Sequence, residues 1–358
     1  MKRVYNFGAG PAVLPLEVLQ EAQAEMCDFK GTGMSLLEHS HRGKAFEAVH
    51  EEAIANIKSL LKLSDDYAVL FVQGGASVQF AMVPMNLLGQ GQTADYINSG
   101  AWASKALKEA KLIGNVNLAA NCEKEIPTRV PLESELKLTP NAAYVHITSN
   151  ETISGAQWKN FPRTQAPLVA DMSSDFLSRD FDAGKFGLIY AGAQKNIAPA
   201  GMAVVIIRKD LAERVPQNIP TMFKYKTFIE ENSLYNTPPC FTIYICMLVT
   251  RWIMKVGQEN LYRKNVEKAA KIYKFIDSGT FYKGTAVPAC RSDMNITFRL
   301  PSEQLEEQFV KDAEKRDLKG LKGHRSVGGV RASIYNAFPM EGVDTLVSFM
   351  AEFQKSHG

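Results

Sequence analysis

The sequence predicts an α/β fold in which a large domain carries a mostly parallel sheet flanked by helices. Two observations support this prediction: short apolar segments alternate with helical segments up to residue 208, and small or polar residues follow most of the apolar segments. Beyond residue 208 the pattern changes to long helices with a few strands, which is typical of a smaller α+β unit. We expect residues 16–256 to form the large domain, and residues 1–15 and 257–358 the small one.

Helices and strands alternate in the first part of the chain. A helix is expected from Pro15 to about Phe29, because proline suits the first helical turn, and another over residues 44–63, where one face is apolar. Six apolar segments are predicted to be strands: residues 67–72, 94–98, 143–148, 167–170, 187–191 and 202–207. A tight turn joins the last two strands and contains Lys195.

The remainder of the chain begins with a loop-rich stretch over residues 215–239. The domain boundary is expected near Gly257, where one long helix ends and the next begins. The predicted elements are helices over residues 241–256, 259–276, 302–317 and 341–354, strands over 295–300 and 330–335, and a basic glycine loop over 319–329.

Composition excludes several classes of function. The chain has 358 residues, a formal net charge of +3 and no basic stripe, so nucleic-acid binding is not expected. Five cysteines, an odd number without a CxxC pair, argue against a disulfide framework or a zinc site and favour a reducing compartment. The first residues lack the apolar core of a signal peptide, and the apolar segment 243–249 is too short to span a membrane. We expect a soluble, cytoplasmic protein without a metal.

Polar and aromatic residues follow the predicted strands. Ser77, Trp102, Thr152, Asp171 and Lys195 each come just after a strand, and the carboxyl ends of parallel strands meet at one edge of a sheet. A lysine buried there has a lowered pKa and is a nucleophile for carbonyl carbon. Each residue also has an ordinary interpretation: a surface lysine in a turn, a core tryptophan, or capping residues at the other positions.

Taken together, these residues are the parts that pyridoxal phosphate requires. The small-residue turn 73–77 before a helix suits a phosphate, and Trp102 offers a face for a flat ring. A carboxylate such as Asp171 keeps the ring nitrogen protonated, and a lysine such as Lys195 forms a Schiff base with the aldehyde. The joint arrangement favours a cofactor site over the separate structural interpretations.

Eight segments carry a closer resemblance, over almost the whole chain and in order. They are residues 6–12, 39–42, 73–77, 148–152, 170–174, 192–196, 235–239 and 323–333. These segments, above all Gly-Ala-Gln-Lys-Asn at 192–196 and Gly-His-Arg-Ser at 323–326, resemble the phosphoserine aminotransferase family of class V, fold type I aminotransferases. The resemblance implies a large domain with a sheet of the seven-stranded type.

The resemblance also implies cofactor, substrates and assembly: pyridoxal 5'-phosphate, L-glutamate with 3-phosphohydroxypyruvate, and a homodimer with active sites at its interface. Lys195 and Asp171 are the implied catalytic residues, Lys195 forming the Schiff base and moving the proton. The implied cofactor-binding residues are Ala76, Ser77, Trp102, Thr152, Asp171, Gln194 and Lys195, joined by Asn236 and Thr237 of the second subunit. The implied substrate-binding residues are Ala9, His41, Arg42, His324, Arg325 and Arg331.

Substrate recognition has a physical basis in these cations. The guanidinium of Arg331 matches the α-carboxylate in bidentate fashion. His41, Arg42, His324 and Arg325 are expected at the distal end, where they can accept a phosphate or a γ-carboxylate, although solvated loops are the alternative for both pairs. Family members often have a hydroxyl residue where this chain has Ala9, so only the backbone of Ala9 is available for that contact.

Two other functions stay open at this point. A cysteine desulfurase or another class V aminotransferase would keep the fold, but a desulfurase needs a mobile reactive cysteine, and Cys290 precedes a predicted strand. A non-enzymatic phosphate- or nucleotide-binding protein would use the Gly74-Gly75 turn, but it explains neither Asp171 nor Lys195. The sequence does not rank 3-phosphohydroxypyruvate against the related phospho-oxo acid of vitamin B6 synthesis.

Overall fold

A computed structural model describes residues 3–216 and 218–358. In chain order, its strands are β1 (Tyr5–Asn6), β2 (Tyr67–Gly74), β3 (Thr93–Asn98), β4 (Asn115–Asn121), β5 (Val145–Thr148), β6 (Leu168–Asp171), β7 (Phe186–Gly192), β8 (Gly201–Arg208), β9 (Lys283–Gly284), β10 (Asn295–Arg299), β11 (Leu318–Lys319) and β12 (Val330–Ser333). Its helices are α1 (Leu16–Ala24), α2 (Lys44–Leu60), α3 (Ala76–Leu87), α4 (Ala101–Ile113), α5 (Lys209–Ala212), α6 (Tyr225–Glu230), α7 (Cys240–Val256), α8 (Gln258–Ile276), α9 (Glu303–Lys315) and α10 (Met340–His357).

Seven strands form the central sheet, in the order β2-β8-β7-β6-β5-β3-β4. Strand β8 is antiparallel to both of its neighbours, and the other adjacent pairs are parallel. Thr148 is level with Asp171, and Asp171 with Tyr190, so the strands β5, β6 and β7 end close to one another. The turn between β7 and β8 lies at the same edge because β8 runs back. The predicted fold class is confirmed.

Helices cover both faces of this sheet, and each face has its own apolar core. On one face, α1, α2 and α7 contribute side chains such as Val18, Phe46 and Ile245. On the other face, α3 and α4 contribute side chains such as Phe80 and Leu107. Burying a large apolar side chain of this kind stabilises the fold by about 1.5–3 kcal/mol. Since both faces are covered, the free edge at the strand ends is the natural place for a ligand.

A second, smaller unit packs beside the sheet. Its strands form an antiparallel sheet, β12-β10-β9, and a parallel pair, β1 with β11. Phe7 lies in the same apolar core as Phe298, Phe309 and Phe349. We therefore propose the division of residues 16–256 from residues 1–15 and 257–358; residues 1 and 2 of that range lie outside the described residues.

Helix α7 is the apolar helix expected over 241–256. Every residue from Ile243 to Thr250 is buried, and the helix packs against α2. Gly257 adopts a positive φ of 84° and turns the chain into α8. Within the described ranges, no single helix has the length and hydropathy to cross a membrane; α7 and α8 pass such a test only as a pair, bent by 89°.

Two differences from the expected elements have physical reasons. Helix α1 ends at Ala24 rather than near Phe29: Glu25 leaves the helical region (φ −92°, ψ 1°), and beyond it Asp28 is extended (φ −147°, ψ 95°), with its Oδ1 accepting the N–H of Gly33 at 2.8 Å. Strand β4 was not expected, because its sequence Asn-Val-Asn-Leu-Ala-Ala-Asn has few β-forming residues and it lies at the edge of the sheet.

Candidate active site

A cavity of about 480 Å³ lies at the carboxyl edge of the central sheet, and both units contribute to its wall. Ten of the residues expected for the site line it: Ala9, Ala76, Ser77, Trp102, Thr152, Asp171, Gln194, Lys195, His324 and Arg331. The strand-end residues that the sequence places at one edge thus face one common space.

Lys195 lies in the turn between β7 and β8. The turn is closed by backbone hydrogen bonds from Ala193 N–H to Met202 at 2.9 Å and from Ala198 N–H to Ala193 at 3.0 Å. The side chain is only 9% exposed, and its Nζ donates to Oγ1 of Thr152 at 2.7 Å. Burial lowers the pKa of Lys195 to about 8, although the negative charge of Asp171 acts in the opposite direction. An ammonium with this pKa loses its proton far more readily than an ordinary lysine.

Asp171 is the last residue of β6 and is buried. Its Oδ1 accepts the backbone N–H of Ser173 at 2.9 Å and the hydroxyl of the same residue at 2.6 Å. Burial raises the pKa of Asp171, while the bonds from Ser173 act to lower it. Within residues 3–216 and 218–358, no group donates to Oδ2 of Asp171. One carboxylate oxygen is therefore fixed, and the other is available to a cationic N–H in the cavity.

Trp102 stands in the first turn of α4, with its ring centre 5.5 Å from Nζ of Lys195. Its indole Nε1 is buried and has no hydrogen-bond partner among the described residues. The backbone N–H groups of Trp102 and Ala103 donate to Oε2 and Oε1 of Glu151, at 3.1 and 3.0 Å. A buried carboxylate on another strand end therefore holds the helix turn that carries the ring.

Helix α3 begins at the wall of the cavity. Its N-cap residue is Gly75, which provides no side-chain cap, and the N–H groups of Ala76 and Ser77 belong to the first turn. A Cβ at Gly75 would meet no atom within 4 Å, so the space in front of this turn is open. A helix N-terminus with free N–H groups binds anions, and Gln194 lines the same cavity.

Two cationic residues reach the cavity from the small unit. Arg331 lies on β12, and its Nη1 donates to the backbone oxygen of Thr152 at 3.4 Å. Its Nε is buried without a partner among the described residues, and burial lowers the pKa of Arg331. His324 pairs through Nδ1 with Oγ of Ser326 at 2.7 Å. Burial lowers the pKa of His324, and the positive charge of Arg331 adds to the effect.

Five of the predicted site residues are not brought to this cavity within one chain: His41, Arg42, Arg325, Asn236 and Thr237. Nε2 of His41 is buried without a partner among the described residues. Oδ1 of Asn236 accepts from Nε2 of Gln73 at 3.0 Å, which places it beside the strand that leads into α3. The contribution of Asn236 and Thr237 from a second subunit stays a prediction, as do the substrate contacts of His41, Arg42 and Arg325.

Sequence reasoning missed three residues of the site's surroundings. Glu151 lies inside the motif 148–152, between two residues that line the cavity. Nothing in the local sequence predicts that its carboxylate accepts hydrogen bonds from helix α4, which is distant along the chain. Ser173 follows Asp171 by two residues. At this spacing an aspartate carboxylate often accepts a hydrogen bond from the backbone N–H of the later residue, so the contact could have been predicted. Lys105 follows Trp102 by three residues on α4, a spacing that places two side chains next to each other on a helix. Its Nζ lies 3.9 Å from the centre of the Trp102 ring.

Comparison with known proteins agrees with the geometry. The model of the Aminotransferase class-V family matches residues 4–346. A phosphoserine aminotransferase from Desulfosudis oleivorans is 58% identical, over 100% of this chain and 99% of that protein. The solved phosphoserine aminotransferase from Bacillus circulans subsp. alkalophilus is 55% identical with a TM-score of 0.96, over 100% of both chains. A pyridoxal-phosphate-bound phosphoserine aminotransferase from Trichomonas vaginalis is 43% identical with a TM-score of 0.94, over 98% of this chain and 100% of that one. The chain belongs to the class V aminotransferases and, among them, to the phosphoserine aminotransferase family.

Proposed function

We propose that this enzyme transfers the amino group of L-glutamate to 3-phosphohydroxypyruvate, giving O-phospho-L-serine and 2-oxoglutarate, with pyridoxal phosphate as its cofactor. One observation carries the proposal: a buried amine and a buried carboxylate, Lys195 and Asp171, line the same cavity as the Trp102 ring and the start of α3. The names of the relatives agree with it.

The residues present fit the cofactor. The start of α3 has free N–H groups for a phosphate, and Oδ2 of Asp171 is available for a protonated ring nitrogen. Trp102 supplies an aromatic face 5.5 Å from Nζ of Lys195. When bound, pyridoxal phosphate supplies an electron sink for the bonds at the α-carbon of the substrate.

Lys195 is the residue that moves the proton at the α-carbon, through Nζ. Its pKa of about 8 keeps a useful share of the amine neutral near pH 7. The hydrogen bond to Thr152 fixes the position of Nζ, and the negative charge of Asp171 favours the ammonium form of Lys195, which opposes the effect of burial on its pKa. Thr152 and Asp171 thus orient and tune the amine.

Arg331 is proposed to hold the α-carboxylate shared by both substrates. Its partly free guanidinium lines the cavity beside Thr152, and two parallel N–H bonds to a carboxylate fix orientation as well as charge. His324 provides a donor toward the distal anion, and the exposed Arg325 follows it on the same loop. The proposed contact of Ala9 is through its backbone.

The active enzyme is proposed to be a homodimer in which His41, Arg42, Asn236 and Thr237 complete the site of the other subunit. Mixing Lys195→Ala and Arg42→Ala proteins tests this arrangement. If Arg42 acts across the interface, subunit exchange rebuilds one intact site in each mixed dimer, so activity rises to about a quarter of wild type, whereas each parent alone stays inactive or weak. Activity that never exceeds the sum of the two parents contradicts the shared site.

The cytoplasm is the proposed location. The five cysteines are free, and Cys122 and Cys246 are buried, which suits a reducing compartment. Cys290 does not line the cavity, and its backbone oxygen accepts the N–H of Gln157 at 2.7 Å. A desulfurase needs a mobile thiol at the substrate, so this position favours aminotransfer over desulfuration.

A panel of amino acceptors tests the function. With glutamate as donor, we expect formation of 2-oxoglutarate with 3-phosphohydroxypyruvate and none with unphosphorylated hydroxypyruvate, because the proposed distal cations bind a phosphate. The related phospho-oxo acid of vitamin B6 synthesis is included so that the rates rank the two phosphorylated acceptors. Lys195→Ala is the control and should lose at least about a thousandfold in rate. Equal rates with phosphorylated and unphosphorylated acceptors would refute the proposed substrate class.

A further inference from the structure

Glu151 is a buried carboxylate that the proposed chemistry does not use. It follows β5 between two residues that line the cavity, Asn150 and Thr152, but it does not line the cavity itself. Its side chain has no exposed surface. A carboxylate this deep is costly to bury unless both oxygens have partners, so its contacts indicate what it is for.

Those contacts lead to the ring of Trp102. Oε2 accepts the N–H of Trp102 at 3.1 Å, and Oε1 accepts the N–H of Ala103 at 3.0 Å. These are the second and third residues of α4, and the N-cap residue, Gly100, has no side chain to bind them. Glu151 therefore serves as the cap of a 13-residue helix from a different strand, and its charge also complements the positive end of the helix.

Gly100 makes this approach possible. A Cβ at position 100 would lie 2.7 Å from Cδ and 2.9 Å from Oε2 of Glu151. The backbone there is extended, with φ of 166°, so the reason for glycine is space rather than conformation. The backbone of Glu151 is fixed as well, because its N–H donates to Ala156 at 2.8 Å and its oxygen accepts from Gly155 at 2.8 Å. The carboxylate is thus a rigid anchor.

We propose that Glu151 is the positioning residue of Trp102, holding the first turn of α4 so that the indole ring lies where the cofactor ring will stack. The proposal rests on the proposed function only for the identity of the cofactor; the link between Glu151 and Trp102 exists in the protein alone. Burial raises the pKa of Glu151 to about 7, and the negative charge of Asp171 adds to that rise, while the two N–H bonds and the positive charge of Lys195 counteract it. The anchor is therefore strongest as the carboxylate, above neutral pH.

The test uses Glu151→Gln, which replaces one accepting oxygen by an NH₂ group facing a helix N–H. In the cofactor-free protein, the tryptophan emission and its acrylamide quenching should change. The change should be absent in a Trp102→Phe background, where Trp158 and Trp252 supply the remaining emission. The Kd for pyridoxal phosphate should rise roughly tenfold, because ordering the released helix turn and its ring on binding then costs about the energy of the lost charged hydrogen bond. Asp95→Asn is the matched control, because Asp95 is equally buried and accepts the N–H of Thr139 at 2.7 Å, away from the cavity.

A second variant guards against loss of folding. Gly100→Ala keeps every charge but pushes the carboxylate from its place, and it should reproduce both the Trp102-dependent emission change and the weaker cofactor binding. Unchanged emission and Kd in both variants, or an emission change that survives in the Trp102→Phe background, would overturn the proposal. Failure of the wild-type protein to bind pyridoxal phosphate would refute the proposed function instead, and the emission result would stand separately.

Discussion

The reactivity of Lys195 in the cofactor-free protein is a quantitative prediction. Lowering the pKa from 10.5 to about 8 raises the neutral fraction at pH 7 from about 0.03% to about 9%, a gain of roughly 300-fold. The perturbation is Asp171→Asn, which removes a negative charge that favours the ammonium form. We therefore expect the pKa of Lys195 to fall further in this variant, so that the amine is neutral at lower pH.

Competitive labelling measures this pKa directly. Trace acetic anhydride is added to cofactor-free protein across a range of pH, and the peptide that contains Lys195 is quantified by mass spectrometry against free acetyl-lysine amide. The midpoint should be near pH 8 in the wild type and lower in Asp171→Asn. Ser173→Ala is the control, since it removes a 2.6 Å hydrogen bond to Asp171 but leaves the charge. A wild-type midpoint near 10.5, or a midpoint that rises in Asp171→Asn, would refute the reasoning.

Two further predictions concern the small unit. Arg331→Lys should raise the KM for glutamate roughly 10- to 100-fold, because an ammonium cannot replace a bidentate guanidinium. Steady-state kinetics measure this KM, and an unchanged value would contradict the assignment of Arg331. Lys268→Met should lower the free energy of unfolding by about 1–3 kcal/mol, because Nζ of Lys268 donates to three buried backbone oxygens at 2.8–3.2 Å. Chemical denaturation measures the loss, and the exposed Lys264→Met, one turn earlier, should lose little.

The sequence determined the large features of the fold. All six predicted strands of the central sheet are present, because their continuous apolar runs are typical of strands buried on both faces. The edge strand β4 escaped prediction, since an exposed edge needs no apolar pattern. The two-residue strands β1, β9 and β11 escaped it too, because their pairing depends on the tertiary fold rather than on local sequence.

Some residues of the site could be predicted from the sequence, and others could not. Residues directly after strands, such as Asp171 and Lys195, could be placed from topology alone, and the family resemblance read from the motifs is confirmed by the relatives. Glu151 could not be placed, because its role depends on a contact 48 residues away along the chain, to Ala103. His41 and Arg42 are a different case: they do not line the cavity of a single chain, so the role proposed for them requires a second subunit.

The charges around Lys195 have a consequence for the order of events. The positive charge of Arg331 helps to lower the pKa of Lys195, after the larger effect of burial. When a substrate carboxylate pairs with Arg331, that positive charge is offset, and the pKa of Lys195 must rise. Substrate binding would then lower the neutral share of the amine at a given pH, while each neutral amine becomes a stronger base for the α-proton. Labelling in the presence of glutarate, a dicarboxylate without an amino group, should move the midpoint of Lys195 to higher pH, and the shift should disappear in Arg331→Met; a downward shift would mean that the carboxylate binds elsewhere.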